Sequence, residues 1–285
     1  DSIDRILLDR IHRIKFKHLT IDEKVIITKE YIFPELLEKM GLKNKIELSI
    51  DVIKHLIVKY TIEPGVRKLK ELLYEIIGEI NLLILSSNDI SSSLLEITIQ
   101  DIDNIYLKEK DYINIIKIPS TPKVGFINGL WANAMGCGGI INIETSFIIA
   151  NNMLELKLTG SQGDVMKESM NVAKTLAWNL LTSTQKVEIQ TSFEKNKNQG
   201  IHIHCPEGGV SKDGPSAGTA ITMAIYSLLI NKPISNTIAI TGEINIKGNV
   251  TVIGGLDLKI LGGIEAGVKT FIFPYENIRD FNKIK

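Results

Sequence analysis

Through the first third of the chain, apolar residues recur at three- and four-residue steps, the period of an amphipathic helix. The clearest run holds Val66, Leu69, Leu73, Ile76, Ile77, Ile80 and Leu83. Another helix is expected over 51–60, with Val52, Leu56, Ile57 and Tyr60 on one side. Ahead of both, Thr20 followed by Glu23 forms a capping-box pattern before Val25, Ile26 and Ile27. Pro34 is expected to interrupt that first helix, because proline lacks an N–H and crowds the preceding turn. Gly41 can then end the continuation through Leu37 and Met40. Polar runs at 86–89 and 91–93 break the long helix, and a short strand is expected over 95–99. Pro119-Ser120-Thr121-Pro122 reads as a boundary region.

Beyond it the period changes. Strand-like runs fall at 139–147, 154–158, 201–205, 237–241, 250–253 and 270–273. Helices are expected over 164–181 and 217–230, and Lys247-Gly248-Asn249 reads as a hairpin turn. This mixture argues for an α+β or α/β second domain after an all-helical first one.

Composition narrows the classes. The 285 residues are 44% hydrophobic and 23% charged, ordinary values for a folded chain of about two domains. Thirty-three basic side chains balance thirty-three acidic ones, so no electrostatic footprint marks nucleic acid or an anionic membrane as a partner. Cys137 and Cys205 lie far apart without ligand spacing, against a disulfide framework or a zinc site and in favour of a reducing compartment. His202 and His204 share one strand face and read as structural or pocket-lining. No run approaches the ~18 apolar residues of a membrane span. The chain begins with Asp1 and is expected to be a fragment.

The sharpest local feature is Lys212-Asp213-Gly214-Pro215-Ser216-Ala217-Gly218. Ser216 stands where a helix begins, a position that suits an N-cap as well as a nucleophile. The glycines leave room for a substrate backbone, and free N–H groups at a helix start can stabilise an oxyanion. Gly214 to Gly218 also matches the G-x-S-x-G elbow of α/β-hydrolases, but no histidine follows Ser216, so that reading fails on chain order. Candidate bases are His202 and His204 on the preceding strand, or a lysine whose pKa is lowered by burial from about 10.4 towards about 7–8. Among the lysines after the serine, Lys259 is distinctive, set in Gly254-Gly255-Leu256-Asp257-Leu258-Lys259-Ile260-Leu261-Gly262-Gly263. It suits a desolvated amine or the polar side of a short amphipathic helix.

Together these residues resemble the Lon protease family. His202-Ile203-His204-Cys205-Pro206-Glu207-Gly208-Gly209, followed by the serine segment, is similar to that family's active-site stretch. Thr241-Gly242-Glu243-Ile244 and Ile253-Gly254-Gly255-Leu256-Asp257-Leu258-Lys259 resemble the two segments that complete it, with 43 residues separating serine and lysine. The resemblance implies a dyad of Ser216 and Lys259, supported by Thr241, Glu243, Asp213, Glu144, His202 and His204. Asp213 would adjust the serine loop. In two places the pattern departs: Ser211 stands where the family commonly has proline, and Trp131 is shifted, with one extra residue before Glu144, so no pocket role transfers to it.

The resemblance also implies a fold of class α+β: an all-helical AAA+ lid over 1–110 with a short connecting strand, then a Lon-type proteolytic domain over 111–285. Leu7-Leu8-Asp9-Arg10 resembles the end of an ATPase core, and Glu63-Pro64-Gly65-Val66-Arg67 a sensor segment, making Arg10 and Arg67 candidates for sensing nucleotide. The implied cofactor is ATP with magnesium in a longer protein, and none for peptide hydrolysis itself. No phosphate-binding loop occurs here; the nearest string, Gly262 to Thr270, has Val268 where a glycine must precede Lys269. The family implies a homohexamer that degrades unfolded proteins in the cytoplasm or a mitochondrial matrix. Two rival readings stay open at this point: a serine hydrolase with a histidine base, and a non-catalytic lid and scaffold.

Overall fold

The computed structural model describes residues 7, 10–12, 19–61, 63–86, 94–113, 115–133, 136–206 and 212–284. Expectations at Leu8, Asp9, Glu207, Gly208, Gly209, Ser211 and the serine-rich run near residue 90 lie outside them. The chain divides into two compact units, 1–114 and 115–285.

In the first unit, helix α1 (Ile21–Ile27) starts at the Thr20 capping box, where Thr20 and Glu23 each accept the other's backbone N–H. Pro34 does not stop this helix. A π turn at Thr28–Ile32 carries it into α2 (Phe33–Lys39), with Pro34 in the first turn. Widening the backbone just before the proline removes the need for its missing N–H and relieves the ring's clash with the previous turn. Strand β1 (Ile46–Leu48) and helix α3 (Ile50–Tyr60) follow, then the long α4 (Arg67–Ser86). α4 buries Leu69, Leu73, Ile76, Ile77 and Ile80 against Leu36, Ile53 and Leu56. Its start is capped from a distance: both Glu63 carboxylate oxygens accept backbone N–H groups, from Lys68 and Leu69, at 2.9 Å. Strand β2 (Leu95–Ile97) pairs parallel to β1, and α5 (Ile99–Asp101) opens into a second π turn, Ile102–Tyr106.

The second unit is a mixed α/β layer structure. Its strands are β3 (Phe126–Ala132), β4 (Gly138–Ile148), β5 (Leu156–Thr159), β6 (Gly200–His204), β7 (Ile238–Ile240) and the later β10 (Thr270–Ile272), in the order β10-β7-β3-β4-β6-β5. Antiparallel pairing joins β3 to β4 and β4 to β6, while the outer pairings and β3–β7 are parallel. Helix α6 (Asp164–Asn179), α7 (Ser183–Asn196) and α8 (Gly218–Leu229) connect these strands, and α6 and α8 cover one face through Met170, Ala173, Ala220, Ile221 and Ala224 over Ile127, Ile141 and Ile203. A small hairpin, β8 (Glu243–Ile244) with β9 (Val250–Thr251), turns through Gly248 at φ 87°. Helix α9 (Leu256–Glu265) sits on the opposite sheet face, beside Leu130 and Ile140, and α10 (Ile278–Phe281) is the last helix among the described residues. The whole is α+β, as expected.

Strand β1 was not expected in the first unit, and two elements of the second carry no periodic signal in the sequence. β3 has no alternating pattern because it is buried on both faces, with Asn128 and Gly129 in its middle. α7 buries only Phe193, so its sequence carries almost no apolar period.

Candidate active site

Ser216 lies in a 3₁₀ turn, Pro215–Ala217, that leads into α8. The turn is entered through Gly214 at φ 121° and ψ 152°, a conformation open essentially to glycine alone. Its main chain is stitched to the segment after β7: the Gly242 N–H donates to the Ser216 carbonyl at 2.8 Å, and the Thr219 N–H donates to the Gly242 carbonyl at 3.0 Å.

Lys259 belongs to the first turn of α9 and is only 3% exposed. Its Nζ stands 3.0 Å from Ser216 Oγ and 3.2 Å from Thr241 Oγ1. Thr241 is itself buried, and its hydroxyl donates to the Ser216 carbonyl at 3.2 Å. The direction of these bonds matters. Having spent its proton on that carbonyl, Thr241 Oγ1 can only accept from the amine. A neutral amine that donates to Thr241 keeps its lone pair for the Ser216 hydroxyl. Burial lowers the Lys259 pKa from 10.5 to about 8, so the neutral form is accessible near neutral pH. Lys259 is therefore not a solvated lysine on a polar helix face.

The remaining candidates are placed differently. Asp213 faces α6, where Gly163 offers no capping side chain. Its Oδ1 accepts the Met166 N–H at 3.0 Å and the Gly214 N–H at 2.9 Å. A Cβ on residue 163 would lie 2.4 Å from the Asp213 Cγ, so only glycine admits this cap from outside the helix. The carboxylate thus ties the serine loop to the start of α6. Glu243 is exposed on β8, opposite Thr251. Glu144 is exposed on β4, opposite His204 of β6. His202 Nε2 and His204 Nδ1 both bond Thr159 Oγ1, at 2.9 and 2.7 Å. Burial, with Lys157 and His204 nearby, holds the His202 pKa below its ordinary value. Thr159, which pins both rings, was not foreseen; a single threonine at the end of a strand carries no signal in sequence.

In the first unit Arg67 is largely exposed and pairs with Glu71 at 3.1 Å. It borders an open pocket of about 840 Å³ lined by Ile27, Ile32, Val66, Lys70, Glu71 and Tyr74. Arg10 is exposed in a turn. Among the described residues no group of three or more histidine, cysteine or acidic side chains is arranged to hold a metal ion, and no helix is long and apolar enough to cross a membrane.

Residues 96–285 match the family model described as Lon protease (S16) C-terminal proteolytic domain. The chain belongs to the Lon protease family. It is 37% identical to a Lon protease of Clostridium acetobutylicum over 286 residues, covering 100% of this chain and 35% of that protein. A Lon protease of Buchnera aphidicola is 37% identical, with 99% of this chain and 35% of that one aligned. A Lon protease homolog of Acanthamoeba polyphaga mimivirus is 34% identical over 342 residues, 100% of this chain and 33% of the viral protein. The chain therefore spans about a third of the length of these relatives. What it aligns with in its second unit is a serine peptidase domain.

Proposed function

We propose that this chain cleaves peptide bonds through a Ser216–Lys259 dyad, within a longer protein that uses ATP to deliver unfolded polypeptides. The observation that carries this reading is the 3.0 Å contact between the hydroxyl and a buried amine. In the proposed cycle, neutral Lys259 takes the proton from Ser216 Oγ as the oxygen attacks the scissile carbonyl carbon. The tetrahedral intermediate collapses as the Lys259 ammonium returns that proton to the leaving amine. An acyl-serine remains. Lys259 then takes a proton from a water as it attacks the ester, and the Lys259 ammonium returns that proton to Ser216 Oγ as the second product leaves, restoring both groups. Thr241 keeps the amine aimed at the serine, and Asp213 holds the serine loop to α6. Glu144, His202 and His204 line the neighbouring sheet face, and the exposed Glu243 follows Thr241 along the chain.

A histidine base is disfavoured because both candidate rings spend a nitrogen on Thr159 rather than on Ser216. A purely structural role gives no reason to bury an amine against the nucleophile. The first unit would act as a helical AAA+ lid, with Arg67 lending charge to nucleotide phosphates at the border of its pocket. Arg10 would serve a neighbouring subunit of a hexamer. The fit is partial: Arg67 is exposed but paired with Glu71, and no phosphate-binding loop lies in this chain, so it is proposed not to hydrolyse ATP by itself.

Ser216→Ala and Lys259→Ala are each expected to lower cleavage of a fluorogenic peptide by at least about 10³-fold. Full activity in Lys259→Ala would remove the lysine-base mechanism.

A further inference from the structure

Helix α9 meets the start of β4 backbone to backbone. A Cβ added to Gly138 would lie 2.1 Å from the Leu258 carbonyl oxygen and 3.0 Å from the Lys259 nitrogen. A Cβ added to Gly262 would lie 2.1 Å from the Gly138 carbonyl oxygen and 2.5 Å from the Gly139 nitrogen. One turn of helix, from Leu258 to Gly262, therefore straddles the first residue of β4. Lys259 is in that turn. None of the opposing atoms is the end of a movable side chain, so any methyl group must push helix and strand apart. The strand side is also held: the Asn133 N–H donates to the Cys137 carbonyl, and Asn133 Oδ1 accepts the Cys137 N–H, both at 2.9 Å.

We propose that the Gly138–Gly262 backbone contact is a positioning device for Lys259, setting how deeply α9 sinks and hence where the amine meets Ser216. The proposal rests on the dyad reading above. Neither glycine touches the reacting atoms. Each permits an approach that even alanine forbids, and relieving the clash requires a retreat on the order of 1 Å, a displacement that costs about 10²-fold in a catalytic step. The retreat also opens a path for water to the amine. Rehydration favours the charged form, so the pH at which Lys259 becomes neutral rises from about 8 towards its ordinary value.

The test compares Gly138→Ala and Gly262→Ala with Lys259→Ala and a control, Gly129→Ala, in the intact protein. Gly129 is packed tightly in the same sheet, its added Cβ 2.9 Å from an Ile141 methyl, on the face that α6 and α8 cover. Peptide cleavage is followed across pH, with thermal unfolding alongside. The two clamp variants are expected to lose about 10²-fold in kcat with KM within about twofold, and to shift the rising limb of kcat to higher pH. Gly129→Ala keeps the limb in place. Wild-type kcat and an unmoved limb in both clamp variants, with Lys259→Ala inactive, overturn the inference and leave the dyad standing. A uniform loss with the limb unmoved overturns it too, as does failure of both clamp variants to fold where Gly129→Ala folds. An active Lys259→Ala removes the dyad itself.

Discussion

Lys259 exchanges its hydration for two hydroxyl oxygens, Ser216 Oγ at 3.0 Å and Thr241 Oγ1 at 3.2 Å, and its pKa falls to about 8. The exchange costs stability. Between about pH 8 and 10.5 the unfolded chain binds more protons than the folded one, so folding strengthens as pH rises through that window. Below about pH 8 the full penalty applies, on the order of 3 kcal/mol for the shift from 10.5. Lys259→Met, similar in volume and uncharged, is expected to abolish cleavage while raising the unfolding temperature at pH 7, with the gain shrinking above pH 10; scanning calorimetry at the two pH values checks this. Thr241→Val leaves the amine without its hydroxyl acceptor and is expected to lower kcat by about 10–100-fold, whereas Thr241→Ser retains most of it; steady-state kinetics decide. At this scale the start of a helix at Ser216 was legible in the Pro-Ser-Ala-Gly step, although that local pattern suits an N-cap as well as a nucleophile. Lys259 was ambiguous from its own neighbourhood, since its burial depends on β4, more than a hundred residues earlier. Its apolar, glycine-rich surroundings mark it among the later lysines, and the resemblance to a family segment gives it the role of base.

Elements were legible where one apolar face governs their sequence. α4 keeps its period for twenty residues because a single stripe packs into the core, and Leu73 within it is 1% exposed. Leu73→Ala is expected to destabilise the first unit by about 2–5 kcal/mol, measurable by denaturant unfolding. β3 gave no period because both its faces are covered, and α7 because almost none of it is. Pro34 misled for a different reason: a proline stops a helix only when the backbone stays α, and here a π turn precedes it. The Asp213 cap on α6 was out of reach as well. Its donor and acceptor lie 47 residues apart, and only Gly163 makes the approach possible.

At the scale of the molecule, the chain combines a helical unit with a peptidase unit and spans about a third of its relatives' length. ATP use is proposed for the longer protein. There, Arg67→Ala is expected to depress ATP turnover and degradation of an unfolded protein by more than about tenfold, while cleavage of a short peptide is nearly unchanged, because Ser216 and Lys259 lie in the other unit. Parallel ATPase and peptidase assays separate the two effects.

The central claim is that a neutral lysine, not a histidine, activates Ser216. Its most direct test is the pH dependence of Ser216 acylation by an active-site-directed ester, in the natural sequence, in Lys259→Ala, and in His202→Gln/His204→Gln. The account predicts a rate that rises with a midpoint near pH 8, survives the histidine changes and vanishes without the lysine. A midpoint near the ordinary histidine value of about 6.5, lost with the histidines and kept without Lys259, contradicts it.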